Sequence, residues 1–293
     1  TVVMMPAGSM RRTRRGPSSE KKTLPSGPSA MRLGPLSCAL IAGEGEAMQR
    51  DYWYSFGLAR EDLESTTAIG RRAAERTLAR MDPRPLATGE MPVLFQAEVG
   101  HLLNAVSGSA LYRRASFLLD SVGTAVMPEW CAIRERPFMV RGLRSSAFDA
   151  EGVATRESDL VRDGILQRYV LGSYSARKLG LQTTANAGGV NNLDIAANAG
   201  DLQDLIRGMG TGLLVTELMG QGVNAITGDY SRGVTGFYVE NGEIAYPVDS
   251  VTIAGNLREM LRNIEAIGTD TDRRSHIRVG SVLLGRMTVA GGI

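Results

Sequence analysis

The chain has 293 residues, 43% of them hydrophobic, which is enough to bury a real core in one large or two ordinary domains. Its formal net charge of +2 is uneven: residues 1–36 hold seven of the 33 basic and one of the 31 acidic residues (+6), leaving 26 against 30 (−4) in the remainder. That mildly acidic body has no built-in attraction for phosphate backbones, and no run of about 18 apolar residues is present to span a membrane, so neither nucleic acid nor membrane is expected as a partner.

Residues 1–36 contain no aromatic side chain, five of the eleven prolines and a basic Arg11-Arg12-Thr13-Arg14-Arg15 cluster, a composition too poor in apolar surface to offset its ordering entropy. A disordered or non-native basic tail is expected there. From Ser37 the pattern becomes regular. SCALIAG and DYWYSFGLA flank a short connection and read as an antiparallel pair. Residues 62–81 read as a helix with Ser65 or Thr66 as cap, with Ile69, Ala73, Leu78 and Met81 on one face, ended by Asp82-Pro83. Met91–Phe95 is a short strand. Val99, Leu102, Leu103, Val106 and Ala110 follow helical spacing, so residues 96–112 read as an amphipathic helix packed on the sheet.

A strand is expected around Ala132–Met139, and Pro137 argues for a sheet edge. Asp163-Gly164 predicts a tight hairpin between Val153–Val161 and Ile165–Gly172. A short helix follows over Ser173–Leu179, closed by Gly180. Residues 182–200, rich in Asn, Ala and Gly, read as a long irregular loop. Asp201–Met209 is a brief helix leading to the strand 212–218. Asn241-Gly242, between the alternating runs 234–240 and 243–248, is the strongest hairpin signal in the chain, because both central residues of a type I′ turn need positive φ. Leu257, Met260, Leu261, Ile264 and Ile267 predict one continuous helix stopped by Gly268. Arg278–Leu284 closes the chain as a strand. The whole is expected to be α+β: a mostly antiparallel, barrel-like sheet with flanking helices.

The words TELMGQGVNAITGDYSRGVTGFYVENGEIAYPV (216–248), VTIAGNL (251–257) and VGSVLL (279–284) resemble the C-terminal domain of the TldD/PmbA family, in its PmbA or TldE branch. The resemblance runs from about Leu36 to the end and implies that residues 37–293 form that domain, with the family's N-terminal domain absent. In the TldD branch the helix corresponding to 96–112 resembles HEAVGH, an HExxxH zinc motif in which two imidazoles hold the metal and the Glu activates water. Aligned on Val99-Gly100-His101, the first ligand position holds Gln96 and the base position Ala97, so only His101 survives of the motif. Glu98 lies on the same helical face as His101, but the one other histidine is His276, and the family's late cysteine ligand has no counterpart after Cys131. No metal is expected in this chain.

The resemblance therefore implies the metal-free subunit of a heterodimeric metalloprotease acting on unfolded peptides, with zinc supplied by a TldD-like partner. The isolated chain is expected to be inactive. Two alternatives follow from the same family: a homodimeric metallopeptidase, and a regulatory binding protein of the kind described as a modulator of DNA gyrase. Sparse, separated cysteines (Cys38 and Cys131) and the lack of a signal-type apolar start fit a cytoplasmic location. Glu217, Gln221, Asp229, Tyr230 and Arg232 are the candidate rim of a cleft for peptide or partner, set against plain turn and hairpin chemistry. No phosphate-binding glycine loop or GxSxG elbow accompanies them.

Overall fold

The computed structural model describes residues 3–4, 33–96, 111, 113–114 and 116–291, and the chain divides into two compact units at Asp82/Pro83. The helix expected over 96–112 lies outside the described residues, apart from Gln96 and Leu111, as do residues 5–32 of the expected tail.

In the first unit β1 (Val3–Met4), β2 (Leu33–Ala42) and β3 (Gln49–Gly57) form one sheet, and α1 (Thr66–Ala79) packs on β2 and β3. The β2–β3 pairing runs antiparallel from Leu36↔Ser55 to Ala42↔Gln49, as the sequence suggests. Ser65 caps α1, its Oγ accepting from the Ala68 N–H at 3.2 Å. The buried stripe is Ile69, Ala73 and Thr77. Leu78, expected on that stripe, is 59% exposed. At 3.6 residues per turn Leu78 lies roughly 140° round the helix from Ala73 and so leaves the stripe, whereas Thr77 falls on it and satisfies its hydroxyl by donating to the Ala73 carbonyl at 2.8 Å. Asp51, buried on β3, accepts ion pairs from Arg80 Nε at 2.8 Å and Arg76 Nε at 3.2 Å, and Arg72 lies over the Trp53 ring at 4.7 Å.

The second unit contains β4 (Gly89–Phe95), β5 (Ile133–Glu135), β6 (Ser158–Arg162), β7 (Ile165–Leu166), α2 (Ser173–Leu179), β8 (Leu193–Ile195), α3 (Leu202–Met209), β9 (Gly212–Met219), β10 (Asp229–Glu240), β11 (Glu243–Asn256), α4 (Leu257–Arg262), β12 (Ile264–Ile267), β13 (Ile277–Arg278) and β14 (Val282–Ala290). One sheet runs β11-β10-β9-β4-β14-β12, and β11 also pairs with β14, so five strands close into a ring with β12 appended. Only β4–β9 is parallel within it. The expected α+β class with a mostly antiparallel barrel is the observed one.

Side chains alternate across the barrel wall, as the two-residue period of a strand requires. Val93, Phe95, Leu213, Val215, Val282 and Leu284 join the inner core, whereas Leu94, Leu214 and Leu283 between them join an outer cluster with Leu205 and Ile206 of α3. A five-stranded ring is narrow enough to be filled by side chains alone, so this barrel is a packed core without a channel.

Asn241 and Gly242 have φ of 54° and 76°, and the hairpin they turn is longer than its apolar runs, with Glu240 opposite Glu243 and Asp229 opposite Asn256. Asp163-Gly164 also turns a hairpin, pairing Arg162 with Ile165.

Three expectations are corrected. The helix from Leu257 ends at Arg262, and Ile264 and Ile267 instead pair with Leu284 and Val282 of β14. There the bare barrel edge offers backbone partners that outweigh helical spacing. The strand near Ala132–Met139 is only Ile133–Glu135 and lies inside the order β13-β8-β5-β6-β7, not at an edge. Pro137 falls beyond it and removes no ladder donor. Residues 182–200 are not wholly irregular, since Leu193–Ile195 inserts beside β5 and β13.

Gly236 on β10 faces Leu214 so closely that any Cβ there would overlap the Leu214 carbonyl oxygen. Gly236→Ala is expected to cost about 3 kcal/mol or more in chemical denaturation. Gly89→Ala, whose Cβ would meet nothing within 4 Å, is expected to stay within about 0.5 kcal/mol of the parent. Equal losses at both positions would contradict the closeness of β9 and β10.

Candidate functional site

At one end of the barrel β9 and β10 run on past β4, which ends at Phe95 opposite Val215. Thr235 lies opposite Glu217 but Gly236 lies opposite Val215, so Thr216 is an extra residue in β9. Its hydroxyl donates across to the Thr235 carbonyl at 3.3 Å. Such a bulge reverses the alternation that follows. Leu218 turns inward opposite Val234, and Glu217 and Met219 turn outward.

The connection 220–228 is tightly organised. Asn224 Oδ1 accepts from the N–H groups of Ile226 and Thr227 at 3.0 and 3.3 Å, and its own N–H donates to the Asp229 carbonyl at 2.8 Å. Asp229 Oδ2 accepts from Thr227 Oγ1 at 2.6 Å, and Oδ1 accepts from Asn256 Nδ2 at 3.3 Å. Asn256 in turn caps α4 through the Arg258 N–H at 3.1 Å. This corner locks the mouth of the barrel to the helix that follows β11.

Of the five rim residues named from the sequence, Tyr230 and Arg232 come together, on the face of β10 that also carries Val234. Asp229 belongs to the Thr227–Asn256 corner on the other face. Gln221 is exposed in the connection, and Glu217 lies on the outer side of β9. Tyr230 is 3% exposed and its hydroxyl has no hydrogen-bond partner. Burial pushes its phenol up to about 12, while the nearby Arg232 cation pulls the other way. Arg232 is half-buried and donates from Nε to the Met219 carbonyl at 3.0 Å.

Of the degenerate motif, only Gln96 is described; Ala97, Glu98 and His101 lie outside the described residues. Gln96 donates its N–H to the Val215 carbonyl at 3.1 Å, and its Oε1 is buried without a hydrogen bond. Among the described residues no three His, Cys, Asp or Glu side chains gather as a metal site. Cys131 fits a ligand role poorly on its own chemistry, because burial in the core pushes its thiol up to about 12 and a metal takes the thiolate. Among the described residues the donor set does not supply the three good ligands and the base that a hydrolytic zinc needs.

A second polar centre was not foreseen. Glu135, 2% exposed on β5, receives Arg168 Nη2 on Oε2, and on Oε1 the Asn191 N–H at 2.6 Å and Asn186 Nδ2 at 2.8 Å. Arg168 also donates to Asn186 Oδ1 at 3.0 Å and to Ser158 Oγ at 3.1 Å. Beside it, Asn192 Nδ2 donates to the Arg136 carbonyl at 3.1 Å and to Ser145 Oγ at 2.9 Å. The Asn-rich stretch is therefore anchored at its middle by a buried carboxylate. The one signal was the run of asparagines itself, since amides in a loop of this length commonly make such bonds.

Comparison with known proteins agrees with this architecture. Residues 88–291 match the family model described as the PmbA/TldA metallopeptidase C-terminal domain, and residues 34–81 match that of the PmbA/TldA metallopeptidase central domain. The class is thus a metallopeptidase family, defined by a barrel domain preceded by a smaller one. Metalloprotease PmbA of Escherichia coli O157:H7 is 52% identical over 87% of this chain, and the PmbA homolog of Haemophilus influenzae 47% identical over 87%. The chain belongs to the PmbA/TldD family, on its PmbA (TldE) branch. It spans 58% of the length of these two relatives.

A crystal structure from Bacteroides thetaiotaomicron, described in terms of DNA gyrase modulation, superposes with a TM-score of 0.83 at 31% identity, covering 88% of this chain and 60% of that one. TldE from Thermococcus kodakarensis, at 24% identity and TM-score 0.72 over 88% of this chain and 62% of its own, shares the fold. Among the described residues no helix is long and apolar enough to cross a membrane.

Two stability outcomes follow. Glu135→Ala strands the Arg168 guanidinium, itself 13% exposed, and is expected to cost about 3–5 kcal/mol by denaturant titration, with protease sensitivity appearing within 186–192. Tyr230→Phe removes a hydroxyl that has no partner and is expected to leave stability unchanged or raise it by up to about 1 kcal/mol. A clear loss of melting temperature in Tyr230→Phe would mean that the hydroxyl is hydrogen-bonded after all.

Proposed function

We propose that this chain is the metal-free half of a two-chain metallopeptidase, working beside a TldD-like partner that carries the zinc, the water and the water-activating Glu. The observation that carries the reading is chemical. Where the zinc motif needs an imidazole and a carboxylate, the chain has Gln96 and Ala97. A neutral amide is a poor ligand for Zn²⁺, and a methyl group takes no proton from water. Cys131 and His276 do not supply the shortfall: the thiol is buried and held protonated, and His276 is far along the chain on the segment leading into β13.

The chain's own contribution, on this reading, is to complete the chamber that holds an unfolded peptide. The connection 221–227, exposed between the ends of β9 and β10, supports it as a surface that a peptide or partner can reach. Zinc, when bound in the partner, supplies Lewis-acid polarisation of the scissile carbonyl and a nucleophilic water. The residues of this chain hold and orient.

The reading is tested with the purified chain, with a TldD-like protein, and with both together. The chain alone is expected to bind substoichiometric zinc and to leave an unstructured peptide uncut, while the mixture forms a stable complex by light scattering and cleaves it. Stoichiometric zinc with cleavage by the single chain would favour the homodimeric alternative. Association with gyrase but with no TldD-like protein would favour the regulatory one.

A further inference from the structure

The mouth of the barrel leaves a half-buried charge and a buried hydroxyl short of partners. Arg232 is half-buried, yet apart from the single bond from Nε to the Met219 carbonyl it has no partner among the described residues, and no carboxylate pairs with it. The nearest acid in sequence, Asp229, is on the other face of β10 and is already engaged by Thr227 and Asn256. Tyr230, 3% exposed, has its hydroxyl two residues away on the same face as Arg232, also unpartnered. A half-buried guanidinium with donors to spare gains from a counter-ion within reach, and a buried hydroxyl without a partner is costly.

Both groups lack the same thing. Each is a donor, the guanidinium through its terminal N–H groups and the phenol through O–H, so what completes them is an acceptor carrying negative charge. A carboxylate offers two oxygens with about four lone-pair sites and one negative charge, matching a forked guanidinium plus one hydroxyl. A phosphate dianion would leave charge unneutralised, and a neutral amide would bring no charge to offset the guanidinium. We infer that Arg232 and Tyr230 form a carboxylate-binding pair at the barrel mouth, filled by a carboxylate of the peptide that the mouth holds. The identification of the ligand as a peptide rests on the function proposed above.

Two sources carry that chemistry: the terminal carboxylate of the peptide, or an Asp or Glu side chain within it. The pair sits where β10 enters the barrel, beside the rigid 220–228 connection, so a bound carboxylate fixes the end or one side chain of an extended chain against a preorganised wall. A fixed anchor of this kind sets the register of the peptide relative to chemistry carried out elsewhere.

The test uses the full chain, without zinc or partner, and fluorescence anisotropy with a dye-labelled heptapeptide of Gly, Ala and Ser. Three forms are compared: free C-terminal acid, C-terminal amide, and amide with a central Glu. At least tenfold tighter binding of the free acid than of the plain amide assigns the site to a peptide terminus. The same preference for the Glu-containing amide assigns it to a side chain. In either case Arg232→Gln is expected to abolish the preference, and Tyr230→Phe, which keeps the ring, to weaken it two- to fivefold, with both variants melting no lower than the parent. Binding of all three peptides within twofold of one another, a preference that survives in Arg232→Gln, or no binding of any form overturns the proposal. Because the measurement needs neither metal nor partner, its failure leaves the two-chain reading standing, and failure to form the two-chain complex leaves the carboxylate preference to be seen.

Discussion

The second unit depends on one pairing, that of Thr252, Ile253 and Ala254 on β11 with Ala290, Val289 and Thr288 on β14. It joins strands far apart in sequence and turns an open sheet into a ring. Once the ring is closed, every strand must send one alternate set of side chains into a narrow interior and the other to the outside, with no freedom of register: a slip by one residue would exchange Val93 and Phe95 for Leu94. The outer set is apolar too, and α3 covers it with Leu205 and Ile206. Closure therefore dictates both the packed interior and the place of the outer helix, and leaves polar chemistry only at the ends of the barrel.

The two ends are not equivalent. At the Asn241-Gly242 end the hairpin turn seals β10 to β11, whereas at the other end β9 and β10 continue beyond β4 and the Thr216 bulge reverses their facing. The reversal matters because it sends Glu217 outward and leaves Arg232 to share the inner side with apolar Leu218 and Val234. Without the extra residue, the parity of β9 would put Glu217 inward. The positive character of the mouth is thus a consequence of one inserted threonine.

What was legible in the sequence was local. Asn241-Gly242, Asp163-Gly164, the Ser65 cap and the Gly180 stop each act within a few residues and are where expected. The α+β class was legible as well, because strands with alternating apolar residues outnumber helices. What was not legible depends on partners far away. Ile264 and Ile267 keep helical spacing with Leu257, but a strand of the barrel waits for them. Leu193–Ile195 is three residues long, too short to show a period, and becomes a strand only between β5 and β13. Glu135 meets Arg168, Asn186 and Asn191 at separations of 33, 51 and 56 residues, which no spacing rule reaches. The five rim residues are neighbours in sequence, but strand alternation and a bulge divide them between faces.

Glu135 and Arg232 together say how the mouth should be understood. Glu135 is a charge deep in the unit, and the fold surrounds it with a guanidinium, two amide side chains and a backbone N–H, drawn from segments that had to be bent to reach it. A chain able to satisfy one buried charge so completely has the means to place an acid opposite Arg232, and Asp229 is only three positions away. That acid is instead turned aside and tied to Thr227 and Asn256, where it shapes the corner. The arrangement holds the cation in place while, among the described residues, withholding its counter-ion, and the inferred carboxylate is the partner that completes it.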